Sequence, residues 1–427
     1  MIKKIVSYTI FMIMLFFLTG CSGESEIKNP DYGKVPKQNI DIKENISPPQ
    51  KDIQEPEKEE DPIEKQIKNM TLEEKIGQMV VVGLDGYTID EHALAMIENY
   101  YVGGFILFDR NVENAYQLLT LINSLKTINS RNKVPIFVSV DEEGGRVSRM
   151  PDELIKIPAN KEIGEINNGD FSYQIGNIIA ETIKSFGFNM NFAPVLDINS
   201  NPQNPVIGDR SFGADAEIVT ELGIQTMKGL QKGGVISVVK HFPGHGDTLV
   251  DSHVGLPSVD HDLDRLKSFE LIPFKEAIDN QADAVMIAHI LMNKIDPQYP
   301  ASLSKTVITE LLRKELGFKG VVITDDMTMG AIVENYSIGD AAVRAINAGS
   351  DIVLVSHGYN NAVSAIYSIK NAVENGVIKK ERIDESVYRI LKLKQKYNLT
   401  DNITESIDIE KVNSKKKEVL EAQGQMN

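Results

Sequence analysis

Between residues 63 and 400 the chain alternates short apolar runs with longer stretches whose apolar positions recur at helical spacing. Eight runs read as buried strands: Met79 to Gly83, Gly104 to Phe108, Pro135 to Asp141, Asn189 to Val195, Val235 to His241, Ala284 to Ile290, Val321 to Asp325, and Ile352 to Val355. The segments between them carry helix signals. Thr71 with Glu74 three residues on fits a capping box, and Ile383, Val387, Ile390, Leu391 and Leu393 line one face of a predicted helix from Ile383 to Tyr397. A second late helix is expected over Ala362 to Val373. Near-continuous apolar strands interleaved with helices imply a parallel sheet covered by helices. Eight such units favour an α/β fold of the (β/α)8 TIM-barrel kind over an open doubly wound sheet. No Gly-x-Gly-x-x-Gly follows the first run, which argues against a dinucleotide-binding fold.

A barrel places its chemistry at the C-terminal ends of the strands, and the polar residues collect there. The third run ends in Asp141-Glu142-Glu143-Gly144-Gly145-Arg146, the fourth leads to Asp197, and the fifth delivers Lys240-His241. The sixth ends at His289 and the seventh in Asp325-Asp326. A single carboxylate in such a place is more often a cap for the next helix; five ends pointing the same way indicate a site. The densest stretch is 240–258, where His241, His245 and His253 stand among Lys240, Asp247 and Asp251 in a Gly- and Pro-rich loop. Loops held by a rigid scaffold are where such side chains do chemistry.

The two ends of the chain read differently. Lys3 and Lys4 precede an apolar run from Ile5 to Leu18, the form of a secretory signal and too short to span a bilayer comfortably. The run closes in Leu18-Thr19-Gly20-Cys21, which resembles the lipobox of bacterial lipoproteins. That resemblance implies a signal peptide over 1–20, a lipidated Cys21, and attachment to the cell membrane on its extracytoplasmic face. Residues 21–62 are polar, charged and interrupted by Pro48-Pro49 and Pro56, so they are expected to form a flexible tether. Residues 401–427, polar and including Lys415-Lys416-Lys417, are expected to be a loosely attached tail.

Composition narrows the partners. A net charge of -16 argues against nucleic acid, whose phosphates are bound by lysine and arginine. The single cysteine leaves no internal disulfide and no multi-thiolate metal site. The chain has no tryptophan, the side chain with the largest stacking face.

Five motifs occur in one order: Asp141-x-Glu143-Gly144-Gly145-Arg146-Val147, Asn191-Phe192-Ala193-Pro194-Val195-x-Asp197, Asp209-Arg210-Ser211-Phe212, Lys240-His241-Phe242-Pro243-Gly244-His245-Gly246 with Asp251-Ser252-His253, and Ile323-Thr324-Asp325-Asp326-Met327. Together they resemble the family 3 glycoside hydrolases, and within them the β-N-acetylglucosaminidases of the bacterial cell wall, over about residues 65 to 400. The resemblance implies a retaining mechanism with Asp325 as nucleophile, His253 as general acid/base and Asp251 as its partner. It further implies that Asp141, Arg149, Arg210, Lys240 and His241 hold the sugar whose bond breaks, with no cofactor and no metal. One departure is Thr324, where a serine commonly precedes the nucleophile. Asp326 is the alternative nucleophile. Rival readings are a metal-dependent hydrolase using His241, His245, Asp247, Asp251 and His253, and an anchored glycan-binding protein without turnover. Within the family, β-glucosidase and phosphorylase activities stay open.

Overall fold

All eight expected strands form, and they close on one another. The structure, a computed structural model, describes residues 61–424; the signal segment, Cys21 and the tether up to residue 60 lie outside the described residues. The strands are β1 (Val80–Gly83), β2 (Gly104–Leu107), β3 (Phe137–Val140), β4 (Met190–Asn191), β5 (Ile236–Phe242), β6 (Ala284–Ile287), β7 (Val321–Asp326) and β8 (Ile352–Val355). They pair in parallel in sequence order, and β8 returns to β1 with Val80 opposite Val353. Closure leaves no free sheet edge, and helices cover the outside, so the strands are buried on both faces. That double burial is why the strands read as continuous apolar runs rather than alternating ones.

β4 is shorter than the run that predicts it. Pro194 has no N–H to give to a ladder, and past Asn191 the backbone pairing with β5 resumes at the bridge between Val195 and Lys240. Just past the sixth run, Leu291–Met292 leaves the barrel and pairs with Ser258–Val259 in a separate two-stranded sheet. In the outer layer, helix Lys380–Lys396 buries the predicted face of Ile383, Val387, Ile390, Leu391 and Leu393. At about 1.5–3 kcal/mol for each fully buried aliphatic side chain, that face suffices to hold the helix on the barrel.

Two boundaries need correction. Asp61 and Pro62, expected in the tether, belong to the fold: Asp61 caps helix Pro62–Lys68, accepting from the Ile63 N–H (2.8 Å) and the Tyr388 hydroxyl (2.7 Å). Pro62 suits the first helical position because its missing N–H would be unpaired there anyway. Of the tail expected over 401–427, the described part is docked, through Asp401 and the helix Ile409–Glu421. Asp401 accepts from Asn129 (2.7 Å) and from the Ile136 N–H (3.2 Å). Helix Ile409–Glu421, capped by Asp408, buries Leu420 and Lys416. Its sequence is mostly polar, yet Ile409, Val412 and Val419 pack against the core beside buried Leu420, an apolar stripe that the run of lysines and glutamates masks.

Candidate active site

The barrel mouth is built from the strand ends upward. After β3 the chain reads Asp141-Glu142-Glu143 and then turns through Gly144 (φ +92°) and Gly145 (φ +56°). A Cβ on Gly144 would stand 2.5 Å from the Pro158 carbonyl oxygen, and one on Gly145 2.7 Å from Ala159 Cβ, so neither position accepts a side chain. Asn191 of β4 locks the start of this turn, accepting from the Glu142 N–H (3.0 Å) and donating to its carbonyl (2.9 Å). Glu143 is thereby aimed across the mouth. It receives Arg210 in a two-pronged pair (2.7 and 2.9 Å) and Lys240 Nζ at 2.7 Å. Lys240 also reaches Asp141 Oδ1 at 2.5 Å.

These charges are nearly dry. The Lys240 and Glu143 side chains are 2% and 1% exposed. Burial alone pushes the Glu143 carboxyl up, but Arg210 first and Lys240 second pull it well below the usual carboxylate range. For Lys240, burial works against the ammonium and Asp141 and Glu143 more than restore it. The chain of contacts continues: Arg210 Nη2 lies 3.4 Å from His241 Nε2, and His241 Nδ1 lies 2.6 Å from Asp197 Oδ2. An arginine donor on Nε2 fits the tautomer whose Nδ1–H donates to Asp197. Asp197 is fully buried; burial raises its carboxyl, His241 holds it below the ordinary value, and its other oxygen accepts the His245 N–H at 2.6 Å.

At the end of β7 the two aspartates part company. Asp326 accepts from the Thr328 N–H (2.9 Å) and hydroxyl (2.6 Å) and from the Ser356 N–H (2.9 Å), and lies 3.2 Å from His357 Nδ1. Its lone pairs are committed to the turn and to the end of β8. Among the described residues, Asp325 meets a single hydrogen-bond donor, the Asp326 N–H at 2.8 Å, which leaves its other oxygen to the cavity. Burial raises the Asp325 carboxyl, yet His289 and then His241 hold it below its ordinary value, so it stands ionised at neutral pH. His289 itself is fixed between Ser302 (2.7 Å) and the Asp326 carbonyl (2.9 Å).

The loop after β5 brings the second half of the site. Asp251 Oδ1 accepts the His253 N–H (2.8 Å) and faces His253 Nδ1 (2.8 Å), which leaves Nε2 for other partners. The Asp251 carboxyl is raised by burial but lowered more by the His253 backbone and side chain. The loop root is tight: a Cβ on Gly246 would stand 1.7 Å from the Ile198 carbonyl oxygen. Its middle rests on Ser252, 3.2 Å from His245 Nε2, and on the amides of Gly330 and Ala331, which donate to the carbonyls of His253 (3.3 Å) and Ser252 (3.1 Å). The His253 side chain is 64% exposed.

One cavity of about 350 Å³ gathers all of this. Asp141, Arg149, Arg210, Lys240, His241, Asp251, His253 and Asp325 all line it, with apolar walls from Phe108, Phe192, Met286, Met329 and Leu354. Arg149 pairs with Asp109 (3.0 Å) at its rim. The residues of the metal reading do not converge: His241 faces Asp197, His245 sits between Thr248 and Ser252, His253 pairs with Asp251, and Asp247 lies 2.9 Å from His261. Among the described residues, no group of three or more such side chains is placed to hold a metal ion.

Sequence reasoning missed four contributors. Glu143 and Asp197 stood inside the motifs, but their part, binding the site's cations and histidines, depends on distances between strands. His245 entered only as a ligand of the metal reading, because one histidine in a crowded loop has no mark of burial. His357 was findable by the strand-end rule, since it follows β8 directly; it lines the cavity and faces Arg110 Nη1 at 3.0 Å.

Comparison with known proteins agrees with this geometry. The model of the glycosyl hydrolase family 3 N-terminal domain matches residues 71–393. Beta-hexosaminidase A of Pseudoalteromonas piscicida is 37% identical over 72% of this chain, which spans 56% of that relative's length. A Beta-hexosaminidase of Nitrosomonas eutropha is 34% identical over 74% of this chain and 91% of its own. Among solved structures, a glycoside hydrolase family 3 beta-N-acetylglucosaminidase from Paenibacillus sp. superposes with a TM-score of 0.78 at 42% identity, covering 83% of this chain and 69% of that one. With the family model spanning most of the barrel and the motifs meeting at one cavity, the chain belongs to glycosyl hydrolase family 3 and is a glycoside hydrolase.

Proposed function

We propose that the chain is a retaining, exo-acting β-N-acetylglucosaminidase that removes terminal β-linked N-acetylglucosamine from cell-wall-derived glycans or muropeptides. The observation that carries this reading is that Asp325 and the Asp251–His253 pair face one cavity while the neighbouring Asp326 is fully engaged elsewhere. The names of the relatives support the N-acetyl preference. A cavity of single-sugar size in the mouth of a barrel favours release from a chain end.

In the first step the Asp325 carboxylate attacks the anomeric carbon as the glycosidic C–O bond breaks, and His253 Nε2–H gives its proton to the departing oxygen. Asp251 holds His253 Nδ1–H and stabilises the imidazolium from which that proton comes. In the second step the now neutral Nε2 takes a proton from water, the resulting hydroxide bonds to the anomeric carbon, and the Asp325–sugar ester breaks. Lys240, Arg210, Asp141 and His241 meet the sugar's hydroxyls and orient the ring; because their charges are already paired, little reorganisation accompanies binding. Arg149 serves the same end from the rim.

The decisive assay offers the 4-nitrophenyl β-glycosides of N-acetylglucosamine and of glucose, each with and without phosphate. Release from the N-acetylglucosaminide, indifferent to phosphate, is the expected result. Preference for the glucoside would make the protein a β-glucosidase, dependence on phosphate a phosphorylase, and binding without turnover a glycan-binding protein. We also propose anchoring at the outer face of the cell membrane through lipid on Cys21, supported by the lipobox-like Leu18-Thr19-Gly20-Cys21. Cys21→Ala should move the protein to the soluble fraction; a variant that stays with membranes disproves the anchor.

A further inference from the structure

Past residue 393, where the family model stops matching, the chain runs on to helix Ile409–Glu421. One side of this helix docks on helix Gly169–Phe186, where Lys415 meets Glu181 at 2.5 Å. Asn413 and Lys416, three residues apart, share another face, and both grip the loop that follows β3. Asn413 accepts from the Ile155 N–H (2.8 Å) and donates to the Glu153 carbonyl (2.8 Å), while Lys416 Nζ donates to the Ile155 carbonyl (2.8 Å).

Lys416 is 1% exposed, and a buried ammonium needs an opposing charge. Burial pushes it down to about 8, and the Glu142 carboxylate works against that. Glu142, equally buried, accepts the Arg149 N–H (2.8 Å) and the Ser148 hydroxyl (2.8 Å). The same carboxylate that answers Lys416 therefore fixes the backbone from which Arg149 enters the cavity. The Arg149 guanidinium has one carboxylate partner, Asp109, and its buried Nε has none among the described residues. Its place thus depends on that backbone.

We infer that Lys416 and Asn413 are positioning residues for the sugar cavity: the C-terminal helix holds segment 148–155 against the barrel mouth so that Arg149 stays at the cavity wall. The inference rests on the proposed role of Arg149 in holding the sugar.

The test compares Lys416→Met, Lys416→Arg, Asn413→Ala and Lys415→Ala in the full-length protein, with Lys416→Met also made on an Arg149→Ala background. Lys416→Met should raise KM for the N-acetylglucosaminide about five- to tenfold, with kcat within about twofold. It should also speed hydrogen exchange over 148–155, and Lys416→Arg should recover part of both. Lys415→Ala should lower Tm without moving KM. In the Arg149→Ala background Lys416→Met should change KM by less than about twofold, because the group it positions is gone. Equal factors in both backgrounds, or a fall in Tm with KM and exchange unmoved, would reduce the helix to a scaffold and overturn the inference. If Arg149→Ala leaves KM unchanged, the sugar-holding role of Arg149 is what fails, and exchange over 148–155 still decides whether the helix holds the loop. Should Lys416→Met not fold, Asn413→Ala, which keeps the ammonium, carries the same comparison.

Discussion

Around Glu143, the side chains of Lys240, His241, Asp197 and Arg210 are between 0% and 12% exposed and each meets an opposite charge or a hydrogen-bond partner. Across the cavity, Asp251 is 35% and His253 64% exposed, on a loop whose Leu249 and Val254 also face solvent. The two sides differ as their proposed tasks do. A pattern of charge that must fit a ring of hydroxyls gains from being set before the ligand arrives. A group that must give a proton and later take one from water has to stand where leaving group and water can reach it. The proposed donor accordingly stands on the solvated side of the mouth, on a loop that is anchored through Ser252 and the Gly330 and Ala331 amides.

The largest expected effect tests the proposed nucleophile, the carboxylate that both sides face. Asp325→Ala should lower kcat by about 10⁴-fold or more with its thermal transition little changed. If single-turnover assays show the loss with Asp326→Ala and not with Asp325→Ala, the two aspartates exchange roles.

Next comes the exposed side. His253→Ala should cost about 10²- to 10⁴-fold on an alkyl N-acetylglucosaminide and clearly less on the 4-nitrophenyl compound, whose leaving group departs without a proton. Equal losses on both would remove His253 from proton transfer.

The buried side should answer in stability. Glu143→Gln leaves Lys240 and Arg210 short of their shared carboxylate and should cost about 3–5 kcal/mol in denaturant unfolding. Asp251→Asn, on the solvated side, should cost under about 1 kcal/mol. Equal costs would erase the distinction between the two regions.

A pH dependence is expected from His245, which ties the loop to the buried cluster. Burial pushes its imidazole down to about 4 from an ordinary 6.5. The unfolded chain takes up that proton first, so stability should fall as pH drops from 6.5 towards 4, by at most about 3 kcal/mol for this group. His245→Gln should flatten a plot of Tm against pH within that window. A variant as steep as the wild type would assign the slope to carboxylates instead.

Much of this was legible in the order of residues. The apolar runs fixed eight strands and their parallel arrangement because a strand buried on both faces has to be apolar throughout, and the family resemblance named eight side chains, seven of them within the motifs, that line one cavity. The C-terminal helix was legible only in part, through the stripe of Ile409, Val412, Val419 and Leu420; its grip on the barrel mouth was not. Asn413 and Lys416 bond to main-chain atoms of residues 153–155, and a sequence gives no sign of which backbone groups are left to receive such bonds.

The chain alone determined the barrel and the identity of the acids, bases and cations around its mouth, since periodicity and residue type are local properties. Only the folded molecule decided that Asp326 is consumed by its turn while Asp325 is left open, that Glu143 binds two cations at once, and that a helix beyond the barrel grips the backbone of residues 153–155. Each of those depends on distances between groups far apart in the chain, and a lone pair or a charge acquires its character from whatever the fold brings within a few ångströms of it.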